Sequence, residues 1–205
     1  MKKFHPVTLL FLGAVPALAA SADVRAALGM SLAVLLVLLC STLLLGLLRK
    51  LIPSEAKLPA AVLTVAGFAS MAQLLMGAFL PSVAAMLGLY LAVLAVDLMI
   101  FSAAETALDE GFGPALGRAV LTAVCFAIFV LVLAALREVF GAASFAGHEI
   151  AALKAYRIPL LLQSSGGLIL YSILLAVVNR IFPAGEEKGD LTRAAIGLAP
   201  ENKEA

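Results

Sequence analysis

Two stretches constrain this chain more than any other part of it. Leu28 to Ile52 reads LGMSLAVLLVLLCSTLLLGLLRKLI, and Leu116 to Phe140 reads LGRAVLTAVCFAIFVLVLAALREVF. Each opens on Leu-Gly and closes on Leu-Arg, a second charge and two apolar residues. Apart from Arg118, neither carries a charge before its closing arginine. A hydrocarbon core roughly 30 Å thick takes about 20 helical residues to cross. Each stretch therefore predicts a membrane-spanning helix that ends at its Arg. One offset, 88 residues, carries Gly29 to Gly117, Leu48 to Leu136 and Arg49 to Arg137. Matching leucines mean little here, but the Gly-to-Arg spacing found twice predicts an internal duplication with three helices per half.

Composition supports the membrane setting. Hydrophobic residues make up 63% of the chain and charged residues 13%, against about 25% charged in soluble domains. Mean hydropathy is +1.11, more apolar surface than a soluble core can use, so the bilayer is the expected surroundings. A net charge of +1 without a basic patch argues against nucleic acid as a partner. The two cysteines, Cys40 and Cys125, lie inside predicted spans, with no CxxC and no nearby His. They read as small buried hydrophobes rather than metal ligands.

The first 25 residues admit two readings. MKKFH, the apolar run VTLLFLGAVPALAA and the small residues after it fit a secretory signal peptide. The alternative is a short first membrane helix interrupted at Gly13 and Pro16, and the duplication favours it, because a three-helix repeat needs a helix before Leu28. The later spans are expected at Leu58 to Leu80, Ser82 to Ala104, Ala115 to Leu136 and Ile158 to Asn179, with a polar loop ETALDEGFGP before the fifth. The connection from Glu138 to Arg157 has room for a short interfacial helix. The expected fold is thus an all-α integral membrane protein of six transmembrane helices. These form two inverted three-helix repeats, about 6–80 and 82–180, followed by a disordered tail over 181–205. With the N-terminus inside, ten of the 14 Lys and Arg fall on the inner side, which places both termini in the cytoplasm. Arg49 then faces in, and Arg137 lies in an outer loop.

Asp97 stands out, because it lies within the apolar run LAVLAVDLMIF. An ionised Asp in a span costs some 2.5 to 3.5 kcal/mol on insertion scales, and such residues face an interior or a water path. Two readings stay open: a place on an ion path, or a structural role in which Asp97 is protonated or bonds a neighbouring backbone or Ser102. Glu105 is expected to end the same helix at the inner interface, where its charge opposes the helix dipole. It is a second ion-path candidate, with a solvated boundary position as the plainer reading. Gln73 and the run Gln163-Ser164-Ser165-Gly166-Gly167 read as helix-packing positions. His148 and Glu149 alone do not make a metal site. No phosphate loop, nucleophile triad or dinucleotide fingerprint is present, so no catalytic residue is assigned.

Several segments resemble a known family. LGAVPALA (Leu12 to Ala19), LLRKLIPSEAKLP (Leu47 to Pro59), AAE (Ala103 to Glu105) and LREVFG (Leu136 to Gly141) are similar to the Rnf/Nqr membrane subunits, most of all to their RnfE/NqrD-like branch. The resemblance implies a six-span subunit of an ion-translocating electron transport complex in a bacterial cytoplasmic (inner) membrane. It also implies a second six-span paralogous subunit as partner. In that family the first broken helix carries Leu-Gly-x-Cys-Pro and the fourth an Asn-Cys pair, and those cysteines are held to bind a [2Fe–2S] cluster between subunits. The matching positions here are Val15 and Leu98, with Asp97 at the Asn position and Ser102 at a Gly position. Val and Leu cannot ligate iron, so the resemblance implies a cluster-free chain with a dry apolar contact at those two positions. The expected role is partner binding or an ion path. The alternative is a small-solute transporter or channel derived from the same inverted-repeat fold, which the broken first helix and lone Asp also fit. The topology is checked by thiol labelling: a Cys introduced at Ser144 should react with an impermeant reagent from outside, and one at Lys188 only from inside.

Overall fold

The computed structural model describes residues 10, 13–110, 112–145, 148–149 and 158–181. Among these, the backbone alone is described at several positions, including Leu98 and Glu105. The basic N-terminal segment, most of the connection before Ile158 and the tail from residue 182 onward lie outside the described residues.

The described residues are helical almost throughout. A short α1 (Ala14–Ala20) leads into α2 (Val24–Leu48). After a single 3₁₀ turn comes α3 (Lys57–Phe79). The next three helices are α4 (Pro81–Leu87), α5 (Tyr90–Val93) and α6 (Leu98–Glu110). The long α7 (Phe112–Arg137) ends in a π turn over Glu138–Ala142. A 3₁₀ turn (Pro159–Leu162) precedes α8 (Ser164–Ile181). Among the described residues the only strand pairing is a two-residue antiparallel one, Ser144–Phe145 with His148–Glu149.

Among the described residues, three helices are long and apolar enough to cross a membrane: α2, α3 and α7 with its π turn. A bent pair, Tyr90–Val96 with Met99–Leu108 at 42°, makes a fourth if counted as one span. The two stretches that share the Gly-to-Arg spacing are α2 and α7, and they pack against each other in opposite directions. The α2 N-terminus at Val24 bonds Glu138 beyond the end of α7, and Gly46 near the α2 C-terminus lies against Phe112 at the start of α7. Val34, Val37 and Leu38 of α2 and Phe126, Val130 and Leu133 of α7 are fully buried. α3 is peripheral, with Leu58, Leu63, Met71, Leu74 and Phe79 exposed. In a membrane protein such a face meets lipid or another subunit.

Several expectations need correction. The span over Ser82 to Ala104 is not one continuous helix. Gly88 takes φ 46, a left-handed conformation that ends α4 and that glycine adopts without steric cost. The backbone then turns extended at Asp97, between the 3₁₀ turn Leu94–Val96 and α6. The loop ETALDEGFGP is instead helical to Glu110 and again from Phe112. Its Ala, Leu and Glu are good helix formers, and Pro114 falls in the first turn of α7, where proline is tolerated. Pro16 likewise sits in the first turn of α1. The span over Ile158 to Asn179 is broken at Gln163.

Close approach of backbone to backbone explains that last break. A Cβ on Gly166 would stand 2.1 Å from the Leu160 carbonyl oxygen and 2.8 Å from Leu161 Cα. Only glycine lets α8 start tight against the turn before it. Gly166→Ala should therefore force the turn away and lower the thermal midpoint in detergent, at a cost of about 1–3 kcal/mol or more, as for overpacked cores. An unchanged midpoint would contradict this packing.

Candidate functional site

Two short helices begin near the middle of α7 and run away from each other. Gly13, the residue before α1, lies so close to Met99 and Phe126 that an added Cβ would be 3.1 Å from Met99 Sδ and 3.2 Å from Phe126 Cε2. Phe126 is near the centre of α7, about 16 Å of helix from Arg137 at its end. From there α1 climbs to that end, where Leu18 and Ser21 meet Arg137. α6 descends in the other direction. Ser102, Ala103 and Thr106 line a recess with Ala115, Arg118, Ala119 and Thr122 of the first half of α7. The recess holds about 10 Å³, at the lower limit for one water.

Asp97 sits at this midpoint and is buried, at 4% exposure. Its Oδ1 accepts the Met99 N–H at 2.9 Å and the Ile100 N–H at 3.3 Å. Asp97 is thus the N-cap of α6, supplying acceptors to amides that a helix start leaves unpaired. Of the two readings of this residue, the backbone bond is observed. Ser102 instead donates to the Met99 carbonyl at 2.8 Å. Glu105 does not end its helix: α6 continues to Glu110, so the expected opposition to the helix dipole does not arise there.

Val15 and Leu98 occupy the first turns of α1 and α6. Val15 is 55% exposed. Within this chain it is therefore not half of a buried apolar pair, because the first turn of α1 presents it outward. The residues do not fit the iron–sulfur cluster implied by the family resemblance. Such clusters need thiolates or occasionally His, and an aliphatic residue stands at each matching position. Cys40 and Cys125 are single thiols on α2 and α7, and no group of three His, Cys, Asp or Glu able to hold a metal exists among the described residues.

Sequence reasoning missed the most connected polar residue. Arg137, expected in an outer loop, is the last residue of α7 and is buried, at 3% exposure. Its Nε donates to the Leu161 carbonyl at 2.9 Å. Nη1 donates to the Leu18 carbonyl at 3.4 Å and to Ser21 Oγ. Nη2 donates to the carbonyls of Leu162 at 3.0 Å and Gln163 at 3.3 Å. Glu138, also buried, accepts the Val24 N–H at 3.0 Å and the Ser144 hydroxyl at 3.3 Å. Tyr171 of α8 donates its hydroxyl to the Leu10 carbonyl and sets its ring edge-on to Phe129, with centroids 5.2 Å apart. The available signal was the adjacent Arg-Glu pair closing an apolar span, together with Gly166-Gly167. The same pattern at Arg49-Lys50 is exposed.

Several long apolar helices, with breaks whose backbone is bonded to buried polar side chains, define the class as a multi-pass membrane protein. Comparison with known proteins places it further. The family model described as "Rnf-Nqr subunit, membrane protein" matches residues 2–178, and the chain belongs to that family. It is 30% identical to the E subunit of the Na(+)-translocating ferredoxin:NAD(+) oxidoreductase complex of Acetobacterium woodii, over 85% of this chain and 90% of the relative. It is 30% identical to the E subunit of the ion-translocating oxidoreductase complex of Pseudomonas paraeruginosa, covering 96% and 87%. The corresponding E subunit of Haemophilus influenzae is also 30% identical, covering 87% and 82%.

The capping geometry separates two roles for Asp97. Asn caps a helix about as well as Asp, whereas Ala forfeits about 0.5–2 kcal/mol. Asp97→Asn should leave the thermal midpoint nearly unchanged, and Asp97→Ala should lower it. Equal losses in both variants would show that the charge, rather than the cap, matters to stability.

Proposed function

We propose that this chain is the E-type membrane subunit of an ion-translocating oxidoreductase complex of the Rnf/Nqr type, acting without an iron–sulfur cluster of its own. The family match and the E-type relatives, similar over most of both chains, support the first half of this reading. The observation that carries the second half is chemical: Val15 and Leu98 stand at the start of the two half-helices that meet beside Phe126, and neither side chain can bind iron. An electron has no thiolate-held stop at these positions.

The proposed architecture is six spans in two inverted three-helix repeats, with both termini in the cytoplasm of a bacterial cell. It counts the entry to α1 and the bent α5–α6 pair as corresponding broken spans. The proposed partner is a second six-span paralogous subunit. It would meet the mid-depth face where Val15 is exposed. In this reading Asp97 and Glu105 mark the α6 side of an ion path. The small recess between α6 and α7, lined by Ser102, Thr106, Thr122 and Arg118, supports only the presence of polar partners for a water at that level.

Purification from native membranes tests both halves. The chain should co-purify with a second six-span subunit, and the separated chain should show no iron, no labile sulfide and no EPR signal after reduction. A stable monomer or homodimer as the native form would overturn the complex assignment. Stoichiometric iron and sulfide in the separated chain would overturn the cluster-free assignment.

A further inference from the structure

We infer that Arg137 is the positioning residue for the mid-depth face of this chain: its guanidinium fixes where α1, and therefore Gly13 to Val15, stands. The inference rests on the reading of that face as the partner-facing one, and it adds the device that sets it.

α1 has seven residues, about half the length at which a helix holds itself together in isolation. Its position must come from tertiary contacts: Pro16, Ala17 and Ala20 are buried along one side of it, and each end has its own contact. At the inner end Gly13 lies against Met99 and Phe126. Those contacts are apolar and do not fix how far along α7 the helix sits. At the outer end Leu18 and Ser21 are both bound to Arg137, and the Ser21 hydroxyl also bonds the Leu18 carbonyl at 2.8 Å. The same guanidinium binds three successive carbonyls, Leu161 to Gln163, at the break before α8.

A guanidinium has five N–H donors in a planar fork. The five acceptors here are the carbonyls of Leu18, Leu161, Leu162 and Gln163 and the hydroxyl of Ser21, one for each donor. Lysine has three donors on one atom and cannot reach two backbone segments and a hydroxyl together. The slot is shaped for the planar group: a Cβ on Gly167 would stand 2.8 Å from Arg137 Cζ and 3.0 Å from Nη2. Arg137 thus couples α1, through one rigid group, to the start of α8.

Two variants approach this contact from opposite sides. Arg137→Lys keeps the charge and removes the fork. Gly167→Ala keeps the arginine and pushes it out of place. Hydrogen exchange on the full-length chain in nanodiscs should rise about tenfold or more over Ala14–Ala20 and Leu160–Gln163 in either variant, with α3 unchanged, as expected of a local opening. Val15→Cys, in a background lacking Cys40 and Cys125, should also react faster with a thiol reagent when combined with either variant. Leu74→Cys on α3 is the reference and should keep its rate. Unchanged exchange and labelling at α1 would overturn the inference. So would a rise spread evenly over α1, α3 and α7, or failure of both variants to accumulate in membranes, since each would make Arg137 a general stability residue. The measurements need no partner subunit, so failed co-purification leaves them standing, and their failure leaves the family assignment intact.

Discussion

A peptide group at membrane depth must have a hydrogen-bond partner, because no bulk water is there to supply one and each unmet group costs several kcal/mol. Regular helices meet this demand internally, and this chain departs from regular helix at several depths. At two of these departures one buried side chain supplies the missing partner, and a third buried side chain serves a backbone carbonyl ahead of α1. Asp97 accepts the first amides of α6. Tyr171 donates to the Leu10 carbonyl on the approach to α1. Arg137 takes the carbonyls at the break before α8 together with that of Leu18. The signs follow the chemistry: a carboxylate serves N–H groups left unpaired at a helix start, and donors serve carbonyls left unpaired at a break.

The two long apolar stretches show how position in the fold decides what one local pattern does. Both end on Leu-Arg at the same offset. Arg49 follows the end of α2, is exposed and lies where a cation complements the negative end of the helix dipole. Arg137 ends α7 and is buried, because two other segments bring five acceptors to it. Locally they differ in the charge that follows, Lys50 after Arg49 and Glu138 after Arg137, but neither local sequence supplies the acceptors. The difference lies in Leu18 and Ser21, more than a hundred positions earlier, and in Leu161 to Gln163, some twenty-five later.

This also explains how much of the fold was legible in the sequence. Spans set by length and boundary charge came out nearly as read: α3 runs over Lys57–Phe79 against an expected Leu58 to Leu80, and α7 stops at its arginine. The breaks did not. Apolar helices surrounded by apolar neighbours carry little periodicity, so nothing in LAVLAVDLMIF separates a helix with an acid in it from two helices with a cap between them. Gly88 is one small residue among many in the sequence, and only its positive φ sets it apart. At the candidate site, Asp97 was legible as unusual but not as an N-cap. The fit of Gly166 and Gly167 against Leu160 and Arg137 is a three-dimensional property that their default reading as packing residues does not contain.

The same demand for backbone partners bears on how this fold can hold aliphatic residues where the family resemblance implies cluster ligands. A fold that relied on the metal to pin its half-helices would come apart when the ligands were replaced. Here the groups that pin them are Asp97, Tyr171 and Arg137, and none of these is at position 15 or 98. The cap on α6 is the residue beside Leu98, and it acts through the backbone of Met99 and Ile100. The hold on α1 is at Leu18 and Ser21, one to two turns beyond Val15, and acts through one backbone carbonyl and one side-chain hydroxyl. Side chains at 15 and 98 are therefore not what satisfies the broken backbone. The half-helices are held by other residues, so the identity of the residue at either position does not decide whether the broken backbone is satisfied.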